Sequence, residues 1–191
     1  MIRVEIGGLQ QASQRLSRVE RAVLRGVYNA INRSGTAGRK EAVARISTAT
    51  GISKKTVRAS FFRPKRAGFK RSTYFSGASS AGIPINEYRY TMERVGYGRN
   101  KTRARIRVGW VTGGEKIAAG FINPFGRRRL GLRTRGKDGK RLLTPDTPAE
   151  ALGPSIAAAF KAMPARPVED AIVNAFGRFA PASVNTQLAR I

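Results

Sequence analysis

The sequence predicts an α+β fold: a long N-terminal amphipathic helix packed on an antiparallel β-sheet, with helices again at the C-terminus. Three observations carry this. Apolar residues recur every three or four positions through residues 9 to 48, the period of a helix with one buried face. Between residues 83 and 111 polarity tends to alternate with a period of two, which is that of a half-buried strand. The helical pattern returns near Pro154. The elements therefore come in blocks and not in βαβ alternation.

In chain order, Ile2, Val4 and Ile6 alternate with Arg3 and Glu5 as a short strand, which Gly7-Gly8 breaks. Leu16, Val19, Val23, Val27 and Ala30 then form an apolar stripe, with Arg15, Arg18, Arg21 and Arg25 mostly off it. Ser34-Gly35 is a candidate kink, and Ala37, Val43 and Ile46 continue the pattern, so one long helix or two in tandem fill residues 9 to 48. Gly51 suits a left-handed C-cap, and Ser53 suits the N-cap of a short basic helix starting at Lys54. Pro64 ends that helix by about Phe62.

Residues 83–95 and 102–111 read as two strands joined by the turn-rich "GYGRNK". In the second, Arg103, Arg105 and Arg107 share one face, while Ala104, Ile106 and Val108 share the other. Residues 117–126 suit a further strand, and Lys137-Asp138-Gly139-Lys140 a tight hairpin turn. A helix begins at Pro154 or Ser155 and is broken by Pro164 and Pro167. "VEDAIVNAFGRFAP" gives the last amphipathic helix, with Glu169 and Asp170 in its favourable first turn. No internal repeat is evident, and the expectation is a single domain over residues 1–191 with basic loops near 63–82 and 126–141.

Charge narrows the function. The chain carries 37 Lys+Arg against 11 Asp+Glu, a formal net charge of +26. Such a protein repels itself and calls for a polyanion or an acidic protein surface. No acid lies between Glu41 and Glu87, or between Glu115 and Asp138. The cations expected to touch phosphate are Lys54, Lys55, Arg58, Arg63, Lys65, Arg66, Lys70 and Arg71 in the first span, and Arg127, Arg128 and Arg129 in the second. Flexible basic loops grip phosphate without reading bases. Phe61, Phe62, Phe69, Tyr74 and Phe75 are interleaved with the first group, and loop anchoring is the commoner role for such aromatics.

Absences exclude whole classes of chemistry. The sequence has no Cys and no His, which removes disulfides, Cys-based zinc sites, thiol catalysis and the commonest general base. The acids are scattered, and only Glu169-Asp170 are adjacent, whereas a metal-dependent nuclease needs clustered carboxylates. No enzyme activity, cofactor or metal is expected. No run of about 18 apolar residues offers a membrane span, and the N-terminus lacks a signal-peptide core. The expectation is a soluble protein of the cytoplasm, or of a particle assembled there.

Residues 41–62 also suggest a helix-turn-helix, the basis of an alternative reading as a DNA-binding regulator. Ser47 stands where that motif places Ala or Gly, and no third helix follows in the sequence.

"AINRSGTAGRKEAVARISTATGISKKTVRASFFRPKRA", followed by "AAGFINPFG", "RLLTPDTPAEALGPSIAAAF" and a C-terminal helix, resembles the minor tail protein Z family of tailed phages, also called tail completion proteins. The likeness covers nearly the whole chain, in order. It rests on Ala30-Ile31-Asn32-Arg33, on Gly51-Ile52-Ser53-Lys54-Lys55 with Val57-Arg58, and on Gly153-Pro154-Ser155. The resemblance implies a structural virion protein at the head-proximal end of the tail. It further implies a homo-oligomeric ring of six copies beside the tail terminator, tail tube and connector proteins, with sequence-independent DNA contact and no membrane partner.

Overall fold

The first described element is one uninterrupted helix, α1, of 42 residues from Leu9 to Thr50, about 63 Å long at 1.5 Å per residue. The computed structural model describes residues 9–95, 103–118, 121–122, 131–133, 149–150 and 152–191. The strand expected at residues 2–6 and the turn expected at 137–140 lie outside them. The helix runs on through Ser34-Gly35, where the Ser34 hydroxyl donates to the Ala30 carbonyl at 2.7 Å.

The buried face of α1 differs from the expected stripe. Leu16 is 71% and Val19 41% exposed. Ala22, Gly26, Ala30, Ser34, Gly38, Ala42, Ile46 and Thr50 form a buried line, one every four residues, with Val43 of the expected pattern buried beside it. Most are small, which lets another helix come close along an i±4 ridge.

The chain divides into two compact units. One holds Met1–Glu41, Pro64–Ser76 and Arg166–Ile191; the other holds Ala42–Arg63 and Gly77–Ala165.

In the first unit, the C-terminal helix α4 (Arg166–Leu188) packs on α1. A Cβ on Gly26 would sit 2.6 Å from the Val184 Cα, and one on Gly38 would sit 2.5 Å from the Ile172 side chain. These pairs make α1 and α4 antiparallel. Residues 64–76 fold back on themselves: Lys65 pairs with Phe75, and Gly68 with Arg71. Asn32 on α1 fastens this segment through both halves of its amide. Its Nδ2 donates to the Ala67 carbonyl at 3.1 Å, and its Oδ1 accepts from the Ala67 N–H at 2.8 Å. The side chain thus imitates a strand partner. Phe69 packs edge-on against Tyr28 at 5.4 Å, an anchoring contact.

The second unit has a larger apolar core. The last turns of α1 end at Gly51, which takes φ +74° and donates its N–H to the Ser47 carbonyl at 2.9 Å, the left-handed cap expected. Ser53 then caps α2 (Lys54–Ala59), its hydroxyl accepting from the Thr56 N–H at 3.1 Å. Strand β1 (Gly82–Pro84) leads into a 3-10 turn at Ile85–Glu87. Strands β2 (Tyr90–Val95), β3 (Arg103–Gly109) and β4 (Glu115–Ala118) form an antiparallel meander in which Met92 faces Ile106 and Arg107 faces Ile117. Short strands β5 (Phe121–Ile122), β6 (Gly131–Arg133) and β7 (Ala149–Glu150) form a second antiparallel sheet. Strand β8 (Leu152–Ser155) returns to pair with β1, and Ser155 caps α3 (Ile156–Ala162). Ile46, Ile52, Ile85, Ile106 and Ile156 are at most 1% exposed, and each contributes about 1.5–3 kcal/mol by burial. Ile106, Val108 and Trp110 all point inward, extending the alternation read from the sequence.

Several boundaries differ from expectation, each for a local reason. The strand foreseen from residue 83 is interrupted at 85–87, next to Pro84, which lacks the N–H that a ladder needs. The strand foreseen at 117–126 starts at Glu115 and is split between two sheets. The helix foreseen at Pro154 or Ser155 starts at Ile156. Pro167 lies in the first turn of α4 and does not break a helix, because proline's missing N–H is no loss there. The helix continues past Pro181 to Leu188, with Ser183 buried beyond the proline. Of the two acids expected in its first turn, only Glu169 lies there, because α4 starts at Arg166, ahead of the segment expected, and Asp170 falls just past that turn.

Two expectations follow. Asn32→Ala leaves the buried Ala67 N–H and carbonyl without partners and lowers unfolding stability by about 1–3 kcal/mol, measurable by urea denaturation. Tyr88 is 4% exposed and donates to the Pro154 carbonyl; burial raises its pKa well above the usual value of 10.0. Above pH ~10 the unfolded chain therefore releases a proton that the folded chain keeps, and stability falls as pH rises. In Tyr88→Phe that part of the alkaline slope disappears, as parallel melts from pH 8 to 11 will register.

Candidate nucleic-acid interface

The expected phosphate contacts fall into three groups. Lys54, Lys55 and Arg58 lie on α2, with Arg63 just beyond it, all exposed in the second unit. Lys65, Arg66, Lys70 and Arg71 are exposed on the folded-back segment of the first unit. Arg127, Arg128 and Arg129 lie outside the described residues. Helix α2, at six residues, is less than two turns long. No α-helix occurs between it and α3, among the described residues. Of the described residues named from sequence, only Arg66 belongs to a basic feature that draws in both long helices of the first unit.

That feature is an open groove of about 1030 Å³ in the first unit, between α1 and α4. It follows from the small-residue packing. Gly26 and Gly38 hold the two helices close, so the polar flanks beside the seam form facing walls. Arg33 and Lys40 come from α1, Arg66 from the folded-back segment, Arg178 from α4, and Arg190 from just past its end. Among the described residues no Asp or Glu lines the groove.

The walls follow helical spacing. Asn29, Arg33, Thr36 and Lys40 fall on one face of α1, and Asn174, Arg178, Ala182 and Thr186 recur every four residues on α4. The Thr36 and Thr186 hydroxyls donate within their own helices, to the Asn32 and Ala182 carbonyls at 2.8 and 2.7 Å. Neutral donors facing the groove therefore come chiefly from the amides of Asn29, Asn174 and Gln187.

Phe179 organises two of the cations. The Arg33 guanidinium lies 5.3 Å from the ring centroid and that of Arg178 lies 4.7 Å from it, within cation–π range. One ring thus holds two like charges, one from each helix. An arginine fork so oriented matches the paired oxygens of a phosphate.

Sequence reading missed Arg33, Lys40, Arg178 and Arg190 because cations on amphipathic helices look like ordinary solvated faces. The available signal was their recurrence, with amides, at helical spacing. Among the described residues no group of three His, Cys, Asp or Glu side chains is placed to hold a metal, and no helix is long and apolar enough to cross a membrane.

A double-mutant cycle of Arg33→Gln with Phe179→Leu should give a coupling of about 0.5–1 kcal/mol in urea unfolding; a coupling of zero removes the aromatic ring's positioning role. No protein-family model, curated protein or solved structure matches the chain.

Proposed function

We propose that this chain is a structural, non-enzymatic protein of a phage virion, located at the head-proximal end of the tail. There it completes the tail and joins it to the head, as a homohexameric ring around or near the DNA channel. It neighbours terminator, tube and connector proteins and meets DNA without selecting sequence. The observation that carries the reading is the basic groove, lined by five cations and no carboxylate among the described residues, on a chain of net charge +26. Such a surface suits a protein held against a polyanion. The resemblance of the sequence to tail completion proteins supplies the location. The alternative of a regulator using residues 41–62 draws no support from a six-residue α2, since recognition needs a helix that reaches base edges along the major groove.

Native mass spectrometry of the purified chain, with immunolabelling of phage particles, tests this reading. Rings of six and label at the head–tail junction are expected. In competition binding, scrambled duplexes should displace one another within about twofold, against the roughly thousandfold or greater preference of a site-specific protein. A free dimer that selects one operator and is missing from particles overturns the proposal.

A further inference from the structure

We propose that the groove between α1 and α4 is a binding track for one sugar–phosphate strand of DNA. The inference rests on the function proposed above and assigns the contact to residues outside the loops that the sequence singled out.

Dimensions support a strand. Arg178 and Arg190, twelve residues apart, span about 18 Å at helical rise. A strand of duplex DNA presents one phosphate per 3.4 Å of axis, so about five phosphates face that length. The groove offers five cations, Arg33, Lys40, Arg66, Arg178 and Arg190. Four of them are arginines, whose planar forks bind phosphate oxygens in pairs. Amide donors from Asn29, Asn174 and Gln187 are interspersed with them, as suits sugar and phosphate oxygens.

Composition disfavours an acidic protein as the occupant. Protein interfaces depend on a buried apolar or aromatic centre, whereas among the described residues Phe179 is the groove's sole large apolar side chain, with Ala37, Ala175 and Ala182 beside it. Base readout is disfavoured as well. Reading bases requires a convex element inserted into a DNA groove, and this site is concave. The contact is therefore to backbone and blind to sequence.

The test is DNA binding by the full-length chain, measured by fluorescence anisotropy across a salt series. Probes are a random 20-mer duplex and its single strand. In the triple variant Arg33→Gln, Arg178→Gln, Arg190→Gln, the slope of log affinity against log salt should become shallower by about 2.7 on duplex and about 2.1 on single strand. A charge-matched control, Arg15→Gln, Arg18→Gln, Arg21→Gln, removes exposed cations elsewhere on α1 and should change it by less than half as much. Equal changes in the two triples overturn the inference.

Hydroxyl-radical footprinting of the wild-type chain does not depend on the variants folding. DNA should protect Phe179 more than an equal charge of poly-glutamate does. Equal or greater protection by poly-glutamate assigns the groove to an acidic peptide and overturns the inference. The two proposals fail separately. A chain present at head–tail junctions whose groove variants bind like the control loses the groove assignment alone. A chain absent from particles that still binds through the groove loses the virion reading alone.

Discussion

The close approach of α4 to α1 at Gly26 and Gly38 is the contact on which the candidate site depends. Neither glycine leaves room for a Cβ. Because the backbones meet there, Arg33 and Arg178 stand on adjoining walls instead of on separate solvated faces, and Phe179 comes within reach of both guanidiniums. The same economy of side chains appears at Asn32, where one amide replaces a strand's two hydrogen bonds and holds the folded-back segment that contributes Arg66. Little apolar area is buried in this unit. Close packing and directional polar contacts take its place, whereas the other unit relies on a cluster of fully buried isoleucines.

Charge works against that arrangement. Like charges about 7 Å apart at an effective dielectric constant of 20 repel by about 2 kcal/mol, less where water and salt screen them. With no carboxylate among its described lining residues, the groove has no ion pair there to relieve this repulsion. Cation–π contacts with Phe179 offset part of it, and an anion in the groove would offset more. Anything that binds the folded form alone stabilises it, so occupancy and stability are linked at this site.

Much of the local structure was legible because it depends on near neighbours. Gly51 and Ser53 mark their caps by residue type, and Ile106 and Val108 mark the inner face of β3 by alternation. The length of α1 follows from its period. What stayed hidden depends on residues distant in sequence. The buried line Ala22, Gly26, Ala30, Ser34 and Gly38 carries almost no hydrophobic signal, and its meaning emerges only beside Val184 and Ile172. Arg33 and Arg178 are likewise unremarkable until the helices meet. The extension of α4 to Leu188, beyond the segment legible as a helix, is hidden for a related reason: proline is a strong local stop signal, and Val184 packs on Gly26 past it.

Pro181 leaves a mark of its own. It has no N–H to give the carbonyl of Gly177, four residues earlier, and Gly177 has open space around it. The helix therefore carries its stiffness in two lengths, one pinned through Ile172 and the other through Val184. The joint between them falls beside Arg178 and Phe179. An anion in the groove would thus meet α4 where its hydrogen-bond ladder lacks a rung, between the two contacts that hold it to α1.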